Sequence, residues 1–231
     1  PGGSIHSSAI RCQIGSMLLL ALSPSALTLS PAPAASGVRV SEGAASSIDS
    51  GARIWDAGLA LSMLLSSPAL AGKRVLELGS GTGVGGLSAA AAGAQVVCSD
   101  ADKECVLLLE ENIAANSLSG RCRVAKLVWG CEDDEECVLG LEGAFDLICG
   151  SDVLYAPNAF DDLLSTLVTF STPGETEVML TYPTRYTESI FLEEAAAHFE
   201  TLETFEVEGA GVENVYCTRL RRLPEAEEFS P

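Results

Sequence analysis

Short apolar runs alternate with segments of helical periodicity from residue 72 onward. Five of these runs are rich in branched apolar residues and predict buried strands. They span residues 73–78, 95–100, 121–129, 145–152 and 177–182. Alternation of strand and helix is typical of a parallel sheet whose strands are joined by crossover helices. The pattern therefore predicts an α/β fold.

Helices are predicted between the strands, and a different pattern closes the chain. An alanine-rich helix extends to about residue 92. Further helices are predicted over residues 102–118, 157–170 and 188–198. The last two segments, 201–208 and 214–222, predict an antiparallel hairpin joined through residues 209–211. The complete prediction is a mostly parallel sheet with an antiparallel closing pair of strands.

The 231 residues fit one ordinary domain flanked by two segments of different composition. Residues 1–36 are rich in Ser, Ala, Pro and Leu and contain no acid. We expect them to form a low-complexity leader that is either disordered or a targeting segment. Residues 37–222 form the predicted folded domain, and residues 223–231 form an acidic tail.

Acidic residues dominate the charge of the chain. Thirteen Lys and Arg against 32 Asp and Glu give a net charge of −19. Such a surface repels a phosphate backbone, so we expect no nucleic-acid partner. It suits basic partners such as lysine-bearing proteins, although solubility alone would also account for it. No run approaches the roughly 20 apolar residues that span a bilayer, so we expect no membrane association.

The cysteines and histidines do not form a metal-binding pattern. The eight cysteines contain no C-x-x-C pair, and the two histidines are His6 and His198. A zinc site needs clustered ligands, so we predict no metal. Several cysteines lie inside strand-like runs, where a free thiol behaves as a small apolar group. We therefore expect a reducing, cytoplasmic location, with an organelle address through residues 1–36 as the open alternative.

A glycine-rich loop at residues 79–86 follows the first predicted strand. Glycines there let the backbone turn tightly and approach a ligand closely. Residues 81–86 spell G-x-G-x-x-G, which is typical of a dinucleotide site. Counted from the strand end at Leu78, however, the spelling is G-x-G-x-G, with Val84 where the third glycine would stand. Asp100, at the end of the second strand, suits ribose hydroxyls in either case.

Four motifs around this loop give the chain a family resemblance. E-L-G-S-G-T-G at residues 77–83 resembles motif I of class I S-adenosylmethionine (AdoMet) methyltransferases. R-I-W-D-A-G at 53–58, L-V-W-G at 127–130 and a D-x-x-Y within 149–155 occur in order around it. With E-N-I-x-x-N at 111–116, they resemble methyltransferase family 16, the seven-β-strand protein-lysine methyltransferases. The resemblance implies a single Rossmann-like, doubly wound domain with strand order 3-2-1-4-5-7-6.

The resemblance also implies which residues hold AdoMet. Contacts with the cofactor are expected at Trp55, Gly79, Ser80, Gly81, Asp100, Trp129 and Ser151. Glu77, the acid just ahead of the loop, is expected in the same site. Trp129 ends the third predicted strand, at the sheet edge where ligands bind, and is expected to stack against adenine. A core role for Trp129, and a merely structural role for Trp55, are the alternatives.

Asp152 and Tyr155 of the D-x-x-Y are the expected catalytic residues. Methyl transfer needs a neutral amine placed against the methyl carbon, and a carboxylate can hold and orient that amine. The tyrosine ring can line the lysine channel, because an aromatic face attracts cations. Arg185 is expected either at the substrate rim or in a solvated loop. The acids at 132–136 are expected in a solvated loop or as an attractor for a basic substrate.

The expected activity is AdoMet-dependent methylation of a lysine side chain on a protein. By family analogy the substrate is a translation factor or a chaperone, and the enzyme acts as a monomer. No N-P-P-Y or D-P-P-Y follows the fourth predicted strand, which argues against a nucleic-acid amino-methyltransferase. The alternatives are a small-molecule N- or O-methyltransferase and a catalytically silent AdoMet-binding adaptor.

Overall fold

One seven-stranded sheet organises the protein, for which a computed structural model describes residues 37–43, 51–142, 144–209 and 212–224. The strands are β1 Arg74–Leu78, β2 Gln95–Asp100, β3 Cys122–Lys126, β4 Leu147–Ser151, β5 Glu177–Pro183, β6 Phe199–Glu206 and β7 Val215–Arg222. Their order is β3-β2-β1-β4-β5-β7-β6. The first five strands are parallel, whereas β7 is antiparallel to both β5 and β6. The α/β fold, the strand order and the closing antiparallel pair are confirmed.

The predicted leader at residues 1–36 lies outside the described residues, as does the predicted acidic tail beyond Pro224. Two residues of the predicted connection at 209–211 lie outside them as well. Among the helices that the structure describes, none is both long enough and apolar enough to cross a bilayer.

Within the described residues, six α-helices cover the two faces of the sheet. They are α1 Asp56–Leu65, α2 Val84–Ala91, α3 Lys103–Ala115, α4 Glu132–Glu142, α5 Phe160–Phe170 and α6 Thr187–Ala195. The first three supply buried side chains to one apolar core, and the last three supply another. Successive side chains of a strand point to opposite faces, so Leu76 and Leu78 enter one core and Val75 enters the other. This layering leaves the carboxyl ends of the parallel strands at one open edge.

Helix α2 begins at Val84, earlier than the sequence predicted, because two glycines of the expected loop belong to the helix. A Cβ at Gly85 would lie 2.3 Å from Oε1 of Glu77, and one at Gly86 would lie 2.6 Å from Sγ of Cys98. Only glycine lets the helix pack this closely against β1 and β2. The glycine loop proper is therefore confined to residues 79–83.

Strand β3 ends at Lys126, three residues before the predicted end at Trp129. The chain turns there, since Gly130 has φ +73° and the Cys131 N–H donates to the Val128 carbonyl at 3.1 Å. Trp129 consequently lies in a turn at the sheet edge and not within a strand.

Asn112 of α3 and Asn116, which caps the C-terminal end of that helix, bind the N-terminal segment. Asn116 accepts from the Arg39 N–H at 2.8 Å and donates to the Arg39 carbonyl at 2.6 Å. Asn112 accepts from the Ser41 N–H at 2.8 Å and donates to the carbonyls of Ser41 and Thr82 at 3.1 and 2.9 Å. The amide of Asn112 thus connects the N-terminal segment to the glycine loop.

Candidate active site

A cavity of about 920 Å³ opens where β1, β2 and β4 end. Ligands of doubly wound sheets bind at this edge, outside the carboxyl ends of the strands. Nine of the ten predicted site residues line the cavity: Trp55, Gly79, Ser80, Gly81, Asp100, Trp129, Ser151, Asp152 and Tyr155. Glu77 is the exception. The fold therefore brings together residues from four separate motifs.

The glycine loop presents its backbone to the cavity. Gly79 and Gly81 have φ values of +60° and +53°, which side-chain-bearing residues rarely adopt. A Cβ at Gly79 would lie 3.2 Å from Val153 and 3.4 Å from Cζ2 of Trp129. A Cβ at Gly81 would lie 2.2 Å from the Gly51 carbonyl oxygen. Glycine is required at both positions, and it leaves a concave surface beside the Trp129 ring.

Asp100 ends β2 with its carboxylate directed at the same loop. One oxygen accepts from the Gly81 N–H and the other from the Asp102 N–H, both at 2.9 Å. Burial raises the pKa of this carboxyl above its ordinary value. A carboxylate offers about four acceptor positions, so roughly two remain for hydroxyl donors of a ligand.

Glu77 lies behind the loop and is almost completely buried. Its carboxylate accepts from the Gly86 N–H at 3.0 Å, near the start of α2. Burial raises the pKa of Glu77 from 4.5 to about 7. The expectation that Glu77 contacts the cofactor therefore needs correction, because its side chain supports the loop from within the core.

The two tryptophans lie on different parts of the cavity wall. Trp129 is half-buried and packs against the core on the α5 side of the sheet. Trp55 precedes α1 and is 41% exposed, with the Arg53 guanidinium 5.5 Å from the centre of its ring. Neither tryptophan is a fully buried core residue.

Asp152 and Tyr155 lie at the mouth of the cavity. Asp152 has φ +54°, and its N–H donates to the Thr181 carbonyl at 2.8 Å. Arg185 forms a two-pronged ion pair with its carboxylate, with Nη2 3.0 Å from Oδ2 and Nη1 bonded to Oδ1. Arg185 is thus at the rim and not in a free loop. The Tyr155 ring is 63% exposed, so it is not a core residue.

The acidic run at residues 132–136 begins helix α4 and is not a loop. Acidic residues in a first helical turn interact favourably with the helix dipole, which explains why this run folds as a helix. Glu135 is buried and accepts from the Thr166 hydroxyl at 2.7 Å. At least part of the run is therefore structural.

Val153 and Asp162 are among the cavity-lining residues that the sequence did not single out. Val153 packs against the glycine loop, and Asp162 of α5 lies beside Gly130. Val153 lies inside the D-x-x-Y motif, so its position there was the available signal. Asp162 lies in none of the motifs, so no motif or residue spacing in the sequence indicated it.

The cavity fits AdoMet by its chemistry. It combines a concave glycine backbone, a carboxylate at the end of β2 with acceptor capacity to spare, and an indole ring beside the loop. Within the described ranges, no group of three His, Cys, Asp or Glu side chains could hold a metal ion.

Comparison with known proteins decides between the two cofactor classes left open by the loop. Residues 35–199 match the family model described as lysine methyltransferase. The chain belongs to this family. The cofactor of this lysine methyltransferase is accordingly S-adenosylmethionine, and the dinucleotide alternative is discarded.

Named relatives agree with this assignment. The chain is 38% identical over 156 residues to protein N-lysine methyltransferase METTL21A of Danio rerio, covering 65% of this chain and 69% of the relative. It is 37% identical over 119 residues to EEF1A lysine methyltransferase 3 of Mus musculus, covering 50% and 49%. Magnesium protoporphyrin IX methyltransferase from Synechocystis, solved with bound AdoMet, is 16% identical with a TM-score of 0.55, covering 72% and 80%. That last likeness concerns the fold alone.

Proposed function

We propose that this lysine methyltransferase methylates the side-chain amine of a lysine on a protein, using Asp152 and Tyr155 at the cavity mouth. One observation carries the proposal. The cavity that contains the glycine loop and Asp100 also contains the D-x-x-Y pair. A cofactor half and an amine-binding half therefore share a single continuous space.

In this proposal the cofactor half holds AdoMet through three kinds of contact. The backbone of Gly79 and Gly81 lies along its amino-acid part, Asp100 accepts from the ribose hydroxyls, and Trp129 packs against adenine. Ser80, Ser151 and Trp55 complete the wall. Bound AdoMet supplies an electrophilic methyl group on a sulfonium.

The amine-binding half must present a neutral nitrogen in a fixed position. Asp152 retains acceptor positions beyond those used by Arg185, so it can also bind the N–H groups of an incoming lysine. The exposed Tyr155 ring offers an aromatic face beside the entering ammonium. The proton leaves the nitrogen to solvent water, and most of the rate enhancement comes from positioning the amine.

The partner class follows from charge and from the relatives. A net charge of −19 favours a basic surface around the target lysine. The mouse relative is named for the translation factor EEF1A, which supports a translation factor as substrate; a chaperone is the second class. The monomeric state and the lack of a nucleic-acid partner stay predictions.

A reducing compartment is supported by the thiols. Within the described ranges, six cysteines form no disulfide, which favours the cytoplasm: Cys98, Cys105, Cys122, Cys131, Cys149 and Cys217. A fluorescent fusion carrying residues 1–40 tests this proposal. Diffuse fluorescence supports a cytoplasmic location, whereas accumulation in an organelle contradicts it.

Labelled AdoMet incubated with the protein and a cell lysate tests the activity. Label in a discrete protein band, recovered as methyl-lysine after hydrolysis, is the expected result. Label confined to the small-molecule fraction would instead indicate a small-molecule methyltransferase. Cofactor binding without transfer to any lysate component would indicate a silent adaptor. Mass spectrometry of lysine methylation in cells with and without the gene then identifies the substrate.

A further inference from the structure

The turn that carries Trp129 is bound on both sides by residues of the neighbouring helices. On one side, the Val128 N–H donates to Asp134 of α4 at 3.0 Å. On the other side, the Gly130 N–H donates to the Thr166 hydroxyl of α5 at 2.8 Å. The amides immediately before and after Trp129 are therefore both fixed by side chains from outside the turn.

The contact on the Gly130 side continues into the protein interior. Thr166 donates its hydroxyl proton to Oε1 of Glu135 at 2.7 Å, and both side chains are buried. The hydroxyl oxygen thus accepts from the Gly130 N–H while its proton is donated to the Glu135 carboxylate. A fully satisfied hydrogen-bond chain of this kind rigidifies the segment that it holds.

The position of this turn determines where the Trp129 ring lies. Cζ2 of the ring would be 3.4 Å from a Cβ at Gly79, so the indole edge lies against the glycine loop. The Leu127 N–H also donates to the Asp100 carbonyl at 3.0 Å, so the residue at the start of the turn is bound to the end of β2. If Gly130 and the end of the turn shifted, the Trp129 ring would consequently move relative to the glycine loop and to Asp100.

We propose that Thr166 and Glu135 are positioning residues that fix the Trp129 ring and thereby set the affinity for AdoMet. The inference rests on the proposed contact between Trp129 and adenine. It also gives part of the acidic run a role in cofactor binding, in place of substrate attraction. A binding surface held in place before the ligand arrives loses less entropy on binding, so a loosened turn lowers affinity.

Thr166→Val tests the proposal because it removes the hydroxyl and keeps the shape of the side chain. Calorimetry with S-adenosylhomocysteine should show affinity lower by about five- to tenfold, the scale of one lost hydrogen bond. The KM for AdoMet should rise by a similar factor, while kcat at saturating AdoMet stays within about twofold. Thr166→Ser should restore the affinity of the wild type.

Thr176→Val is the matched control. Thr176 is also buried, and its hydroxyl also accepts one N–H, from Thr172, and donates to one acceptor, the Phe145 carbonyl, each at 2.8 Å. Thr176 immediately precedes β5 and so lies at the amino ends of the parallel strands, whereas the cavity lies at their carboxyl ends. Its loss should lower thermal stability without changing affinity for S-adenosylhomocysteine.

Fluorescence gives a readout that is independent of catalysis. In a Trp55→Phe background, Trp129 is the one tryptophan left in the chain. Quenching of its emission by S-adenosylhomocysteine should require a higher ligand concentration when Thr166→Val is added. If Thr166→Val does not fold, Glu135→Gln weakens the same chain more gently, with an expected affinity loss of about two- to threefold.

Trp129→Ala separates failure of this inference from failure of the proposed function. If Trp129→Ala lowers affinity but folded Thr166→Val and Glu135→Gln bind like wild type, the positioning role is wrong and the adenine contact stands. If Trp129→Ala binds like wild type, the adenine contact is wrong and the positioning role is overturned with it.

Discussion

Arg185 and Asp152 form a two-pronged ion pair across the mouth of the cavity, between the loop after β5 and the residue that follows β4. The pair raises the pKa of Arg185 above its ordinary value, chiefly through the hydrogen bond to Asp152. The carboxylate expected to receive the substrate amine is therefore already neutralised by a cation of its own chain. That neutralisation affects the pKa of the substrate lysine amine.

Arg185→Gln should shift the pH dependence of methyl transfer to higher pH. An unpaired Asp152 carboxylate favours the ammonium form of the substrate lysine, so it raises the pKa of the amine that must be neutral to react. We expect the ascending limb of the kcat profile to move up by roughly one pH unit. Arg185→Lys, which keeps the charge, is the control. A profile that moved to lower pH, or not at all, would contradict this role.

Asp152→Asn should separate the amine site from the cofactor site. It preserves size but removes the charge that holds and orients the amine. We expect affinity for S-adenosylhomocysteine within about threefold of wild type and a single-turnover rate lower by roughly 100-fold or more. Calorimetry and rapid quenching measure the two quantities. Lost cofactor affinity with an unchanged rate at saturation would assign Asp152 to the cofactor site instead.

Asp100→Asn should have the opposite effect. The amide oxygen of the asparagine can still accept from the Gly81 N–H, but an uncharged amide accepts hydrogen bonds from ribose hydroxyls more weakly than a carboxylate does. Loss of charge-assisted hydrogen bonds of about 1.5–3 kcal/mol should lower AdoMet affinity by roughly ten- to hundredfold. Much of the rate should return at high AdoMet concentration. A rate that stayed low at saturation would show that Asp100 also affects the transfer step.

Glu77→Gln should change how stability depends on pH. The folded pKa of about 7 exceeds the ordinary 4.5 because the carboxyl is buried, so between these values the folded state holds a proton that the unfolded chain has lost. This contribution to stability is fully present below pH 4.5 and is lost as pH rises to about 7. Relative to Glu77→Gln, the wild type should lose roughly 3 kcal/mol over that interval.

Urea unfolding of both proteins at several pH values from 4.5 to 8 measures the difference. The free energy of unfolding of the variant, minus that of wild type, should increase with pH and level off above about 7. A constant difference over this range would mean that Glu77 titrates at the same pH in both states.

The site residues carried by a motif next to a strand end were the ones that the sequence could predict. Gly79, Asp100 and Asp152 each follow or end an apolar run, and parallel topology brings such ends to one edge. The strand order came from the family resemblance, because periodicity alone does not determine which strands are neighbours.

Residues whose role depends on a partner far along the chain could not be predicted. Glu135 looked like one of five solvated acids until the fold placed the Thr166 hydroxyl beside it. Arg185 lies 33 residues from Asp152, and no sequence spacing indicates that the loop after β5 folds back onto the end of β4. Glu77 was assigned to the ligand because its position in the motif does not reveal which way its side chain points.

Asn112 of α3 and the C-cap residue Asn116 extend the folding unit beyond the sheet and its helices. Each side-chain amide offers a donor and an acceptor like a peptide group, so residues 39–41 are held as though a further strand ran along the helix. A shortened protein beginning at residue 42 would leave the buried Asn112 amide without its partners at Ser41. Since Asn112 also binds the Thr82 carbonyl, loss of Ser41 would disturb the glycine loop as well, and a shortened protein has to retain residues 39–41.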